Sequence, residues 1–191
     1  MTNDKSTLLK ITVLFLAIQI VLMFELSRQG QYNYTRSVMA ITCFWVIYAF
    51  LEARYGFYMN TYVRVMIVLA LLFDGFFGCY LDFYTTSSVF DKMLHVFGTY
   101  AFSLFAYVLV VQLLKHPVTS SFKFILVVSL GVSLGACYEI LEFLTDTFSH
   151  PVPISQPSLL DTDLDLIANV IGATLAAIHA TTKTFIDHTF I

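Results

Sequence analysis

The chain has 191 residues, of which 58% are hydrophobic, 16% aromatic and only 12% charged, with a formal charge of -3 and a mean hydropathy of +0.79. A soluble domain carries about 25% charged residues, so these values exclude an ordinary soluble globular protein and a disordered one. No basic stripe is present to neutralise phosphates and release their counterions, which excludes nucleic acid as a partner.

The apolar residues gather into runs close to the length of about 20 residues that crosses a bilayer as a helix. Six spans are predicted, at residues 8–26, 37–51, 63–83, 92–114, 124–144 and 164–182. The fold class is therefore all-α: a polytopic transmembrane helical bundle making a single integral membrane domain over residues 1–191, with membrane lipid as its surroundings and partner. The first span follows Lys5 and Lys10 as a signal peptide would, but Glu25, Leu26, Ser27 and Arg28 after it offer no small-x-small cleavage site, so it is expected to stay as an anchor. The second span is short and the sixth is the least apolar. The longest connection, residues 145–163, contains Pro151, Pro153 and Pro157. Cys43, Cys79 and Cys137 fall inside apolar runs without C-x-x-C spacing and read as small core residues. No fixed-period repeat is found.

Cytoplasmic loops are enriched in Lys and Arg. Lys5, Lys10, Arg54, Arg64, Lys115, Lys123 and Lys183 lie on the side of the N-terminus, against Arg28, Arg36 and Lys92 on the other, which predicts both termini in the cytoplasm. Under that topology Asp91 and His95 open span four, Glu139 and Glu142 close span five, and Asp161 and Asp165 open span six, all at the outer face. Asp74, Asp82 and Glu25 fall in the same outer half. The topology rests on basic residues alone, so the meeting of these acidic pairs is a consequence of it.

Residues four apart share a helix face. In span four the row Asp91, His95, Thr99, Ser103 is polar at every step, and such a stripe does not face lipid. In span six the row Asp161, Asp165, Asn169 runs on into Ala173 and Ala177, beside Ala168, Gly172, Ala176 and Ala180. Small residues at this spacing let helix backbones approach closely, and in span five Gly131 and Gly135 share a row with Glu139. Span three offers Asp74, Gly78 and Asp82. Close packing would gather five or six carboxylates and one imidazole into a pocket that only a cation or shared protons could hold together. Carboxylate oxygens with one His suit a divalent metal: Zn, Mn, Mg or Ca.

Against a site stands the helix terminus itself: Asp91 and Asp161 begin helices, where the dipole favours an anion. Asp165, Asn169, Glu139 and Asp74 lie deeper, where an unpaired charge costs about 2.5 to 3.5 kcal/mol. Asp163 points off the Asp161/Asp165 face and is expected in solvent. His116, His150, His179 and His188 read as loop, interface or tail residues, and Glu52, Arg54 and Arg64 as anchors at the inner surface. The abundant Phe and Tyr read mainly as lipid-facing surface and interfacial belt.

Three segments carry a resemblance: Asp91-Lys92-Met93-Leu94-His95, Tyr138-Glu139-Ile140-Leu141-Glu142-Phe143, and Asp161-Thr162-Asp163-Leu164-Asp165 followed by Asn169, Gly172 and Ala173. Their order and spacing resemble the YjdF family of bacterial inner-membrane proteins, with Phe143 where that family often has Trp. The last segment is also similar to the end of VanZ-like proteins, one of whose members is linked to glycopeptide resistance. The resemblance covers about the second half of the chain. It implies a multi-pass protein of the bacterial inner membrane sharing Asp91, His95, Glu139, Glu142, Asp161 and Asp165, and implies no activity.

The leading expectation is a metal-dependent membrane enzyme acting on a lipid or envelope precursor at the outer face. Asp91, His95, Glu139 and Asp165 would be ligands, Glu142 or Asp161 the general base, and Asn169, Asp74 and Asp82 would stand behind the ligands. Two alternatives stay open: a proton- or cation-coupled transporter, for which six spans without inverted repeats are few, and a non-catalytic lipid- or partner-binding protein with a structural ion. The sequence leaves the oligomeric state open, since small-residue rows also pack helices of separate copies.

Overall fold

A bilayer leaves a single-segment backbone only the helix as a way to satisfy its polar groups, and the apolar runs fold accordingly. The computed structural model describes residues 2–114 and 118–182; Lys115, His116, Lys183 and His188 lie outside the described residues. The helices are α1 (Thr2–Arg28), α2 (Tyr32–Tyr55), α3 (Thr61–Leu72), α4 (Phe83–Thr86), α5 (Phe90–Val111), α6 (Ser120–Ser149) and α7 (Leu159–Thr182), and α3 continues as a π-helical segment, Phe73–Tyr80. No strand occurs among the described residues. Among the described residues, six stretches are long and apolar enough to span: Lys5–Arg28, Tyr32–Tyr55, Thr61–Tyr80, Phe90–Val111, Ser120–Ser149 and Leu159–Thr182.

Local chemistry sets the helix ends. Gly56, at φ 70°, closes α2 with its N–H on Glu52 O at 2.8 Å, a left-handed cap that costs glycine little. Asn60 Oδ1 accepts from Tyr62 N at 2.7 Å to start α3, and Thr119 Oγ1 accepts from Phe122 N at 3.3 Å to start α6. Ser158 Oγ accepts from Asp161 N at 3.1 Å, so α7 begins before the predicted residue 164.

The chain divides into two compact units, Met1–Phe90 and Asp91–Ile191. In the first, α1 packs on α2 through the Phe15 and Trp45 rings, 5.8 Å apart, and Trp45 Nε1 donates to Thr12 Oγ1 at 3.1 Å. Leu22, Leu26, Val38 and Cys79 form a buried cluster. Span two outruns its predicted limits of 37–51 because Glu52 is no surface anchor. It is buried, accepting from the Tyr48 hydroxyl and pairing with the fully buried guanidinium of Arg64, so the anchor reading is corrected for both residues of the pair. Arg54 is exposed, over the Tyr55 ring. Cys43 and Cys137 are exposed rather than in a core, and Cys79 is buried. The side chain of Gln19 is fully buried beside Gly75, with neither amide atom hydrogen-bonded.

The second unit is built on small residues. On α7, Ala168, Gly172, Ala173, Ala176, Ala177 and Ala180 are buried, and on α6 Gly131 and Gly135 are. A methyl added at Gly131 would meet Ser103 Oγ at 2.0 Å and Ala173 Cβ at 2.6 Å, and one at Gly172 would meet the Val96 carbonyl oxygen at 2.3 Å. Backbones therefore approach as the small-residue rows predict. Residue order in these contacts makes α5 and α7 parallel and α6 antiparallel to both: Val96 lies by Gly172 and Lys92 by Asp161, whereas Gly131 lies by Ala173 and Gly135 by Asn169.

Candidate metal centre

This antiparallel arrangement brings the start of α5, the last third of α6 and the start of α7 to one end of the second unit. The polar rows of α5 and α7 thus face each other. His95, Glu139, Asp165 and Asn169 are 7%, 5%, 2% and 2% exposed, a degree of burial that polar groups tolerate only with partners.

His95 is the hub. Its Nε2 lies 3.6 Å from Asp91 Oδ1 and 3.7 Å from Asp165 Oδ1, and its Nδ1 lies 3.5 Å from Glu139 Oε1 and 3.2 Å from Asn169 Oδ1. Asn169 Oδ1 also accepts from the Thr99 hydroxyl at 2.5 Å, and the Ser103 hydroxyl donates to Thr99 O at 2.6 Å. Of the row read from sequence, Asp91, His95, Thr99, Ser103, the last three are buried and Asp91 is half-buried.

Among the described residues, two groups have the geometry to hold an ion. Asp91, His95 and Asp165 form one and His95, Glu139 and Glu142 the other, each with donor atoms within 4.8 Å of one another. The four residues read from sequence as ligands are therefore brought together, but on two sides of one ring: Asp91 and Asp165 toward Nε2, Glu139 toward Nδ1. Glu139 Oε1 and Asp165 Oδ1 are buried without a hydrogen bond, as is Asn169 Nδ2. A carboxylate oxygen only accepts, so these two can be completed only by a proton donor or a cation.

Four participants were not legible as such. The Lys92 ammonium donates to Asp91 Oδ2 at 2.9 Å, Asp161 Oδ1 at 2.5 Å and Asp165 Oδ2 at 2.9 Å, although the sequence gives it no role at the site beyond a count toward topology and a place in the first of the three segments. Gln156, in the Pro-containing loop, donates through Nε2 to Glu139 O at 2.9 Å and Oε2 at 3.1 Å. Asp146 fixes that loop by accepting from Ser155 N at 2.9 Å and Gln156 N at 2.8 Å. The Tyr138 ring lies edge-on to His95, with centroids 5.7 Å apart. With every carboxyl ionised, Asp91, Glu139, Glu142, Asp161 and Asp165 outweigh Lys92 and a protonated His95, so the cluster carries excess negative charge.

Asp74 and Asp82 belong to the first unit. The row Asp74, Gly78, Asp82 expected on one helix face is broken, because the wider π-helical winding over Phe73–Tyr80 changes the register and the helix stops at Tyr80. Asp82 sits in the turn at φ 58°, accepting from Tyr34 at 3.1 Å and Thr85 at 2.5 Å, and Asp74 accepts from the Tyr84 hydroxyl. Glu25 pairs with Arg28 at 2.6 Å. Asp163 and His150 are exposed. His179 is no tail residue: it hydrogen-bonds the Tyr100 hydroxyl through Nδ1, with the two rings stacked.

Fold and site together define a polytopic helical membrane protein with a buried carboxylate–histidine centre. The chain belongs to the family described as Predicted membrane protein (DUF2238), which it matches over residues 8–184, and the YjdF proteins resembled by its motifs are members of that family. An uncharacterized protein of Thermotoga maritima is similar, at 30% identity over 122 residues, 63% of each chain. The chain thus spans less than two thirds of that relative's length. No solved structure matches.

Proposed function

We propose that this is a divalent-cation-dependent enzyme of the bacterial inner membrane acting on a lipid or lipid-linked envelope precursor. The ion sits at His95 among the surrounding carboxylates, at the outer face with both termini cytoplasmic. The observation that carries the reading is the pair of buried carboxylate oxygens without hydrogen bonds, Glu139 Oε1 and Asp165 Oδ1, one on each side of the same imidazole. The 3.5 to 3.7 Å donor separations are too long for good hydrogen bonds and suit atoms sharing one ion, which binds O or N at about 2.0 to 2.2 Å. An ion held there would lower the pKa of a water toward neutrality, and a carboxylate of the cluster would take that water's proton and return it to the oxygen that leaves as the ester bond is hydrolysed. The test is elemental analysis of the purified protein reloaded with Zn, Mn, Mg or Ca, with headgroup release from lipid vesicles as the activity readout. Near-stoichiometric metal, lost in His95→Ala, is expected; no metal in the wild type after reloading refutes the reading.

A further inference from the structure

Resting on that reading, we infer that Lys92 is the resident cation of the Nε2 side of the centre, and that the metal ion binds on the Nδ1 side, to His95, Glu139 and Glu142. The Lys92 ammonium is bonded to Oδ2 of both Asp91 and Asp165 and to Asp161. Any ion held by the remaining Oδ1 atoms and Nε2 would share both of its carboxylates with a fixed positive charge. Repulsion at that range opposes a second cation there. On the Nδ1 side the amide of Gln156 touches only Oε2 of Glu139 and leaves Oε1 without a hydrogen bond, and no side-chain ammonium or guanidinium is bonded to Glu139 among the described residues.

The division gives each nitrogen one task. Nδ1 ligates the ion in place of its 3.2 Å contact with Asn169 Oδ1, while Nε2 faces Asp91 Oδ1 and Asp165 Oδ1 at 3.6 and 3.7 Å, carboxylates placed behind the ring as they commonly are for a metal-bound His. Lys92 in turn fixes those two carboxylates. Asp91 and Asp165 are thereby positioning residues, and the ligands come from α5 and α6.

The experiment is metal stoichiometry on the full-length protein in lipid nanodiscs, titrated with Mn²⁺ and with Zn²⁺. The wild type and Lys92→Arg are expected to bind one ion, and Lys92→Met, which frees the carboxylates of Asp91, Asp161 and Asp165 to hold a second ion without His95, two. Two ions in the wild type, or one in Lys92→Met, overturn the inference while leaving a metal site in place; none in the wild type overturns the underlying reading as well. Should Lys92→Met not fold, two variants that keep Lys92 decide: Glu142→Gln is expected to weaken binding more than 100-fold, and Asp165→Asn by about 10- to 100-fold with stoichiometry unchanged. The opposite ranking places the ion on the Nε2 side and overturns the assignment.

Discussion

Replacing Gly172 by Ala tests whether α5 and α7 touch through their backbones. The added Cβ would stand 2.3 Å from the Val96 carbonyl oxygen and 3.1 Å from both Tyr100 N and Thr99 Cβ. Two of these atoms are main chain, so no rotamer change relieves the contact, and the helices must separate by about 1 Å. Such a gap forfeits a quarter to a half of each dispersion contact along the seam, and overpacking of this kind costs about 3 kcal/mol at the upper end of its usual range. Better helix propensity returns about 1 kcal/mol, for a net loss of about 2 kcal/mol. Gly98, on α5 itself, is the control: a Cβ there meets nothing within 4 Å, so Gly98→Ala is expected to be neutral or stabilising by up to about 1 kcal/mol. The two variants should differ by about 3 kcal/mol, roughly 100-fold in the unfolding equilibrium. The assay is unfolding in mixed SDS micelles followed by circular dichroism, since the single tryptophan, Trp45, lies in the first unit and does not report on the second. Equal stability of the two variants would refute the close backbone approach.

Gly135→Ala places a methyl 2.6 Å from Asn169 Cγ and 2.7 Å from its Cβ; it is expected to break the bond from Thr99 to the carboxamide and to destabilise by about 1 to 3 kcal/mol, measured by unfolding in mixed micelles, with unchanged stability counting against the close approach of α6 and α7. In the first unit, Glu52→Gln leaves the fully buried Arg64 without its counter-charge and should destabilise by about 3 kcal/mol, while Glu52→Gln with Arg64→Met should be milder; denaturation of single and double variants checks the sign of the coupling. Asp146→Ala removes both backbone anchors of the loop, each charge-assisted bond being worth about 1.5 kcal/mol or more, so exchange of the Ser155 and Gln156 amides should speed up at least tenfold by mass spectrometry. Unchanged exchange would mean the loop is held by its prolines instead.

Much of the fold was legible because membrane helices announce themselves by length and composition, and because rows at spacing four are read directly from residue order. Gly131 and Gly135 below Glu139, and Ala173 and Ala177 beyond Asn169, are buried as that spacing demands. The exceptions have local causes. Tyr48, Glu52 and Arg64 satisfy one another, which lets polar residues enter a buried region that hydropathy assigns to the surface. The π-helical segment departs from the 3.6-residue repeat on which the pairing of Asp74 with Asp82 depended.

The centre divides along the same line. Asp91, His95, Glu139, Asp165 and Asn169 meet because their Cβ directions follow from helical period, and the antiparallel course of α5, α6 and α7 follows from alternate crossings of the bilayer. Lys92 escapes this logic. Neighbours in a helix point about 100° apart, so Asp91-Lys92 reads as two separate faces. Yet a lysine ammonium rides on a flexible four-carbon stem and reaches back to Asp91 while spanning to Asp161 and Asp165 on α7. Contacts set by side-chain reach rather than by Cβ direction leave no periodic signal. Here that contact sets the charge balance on the Nε2 side of His95.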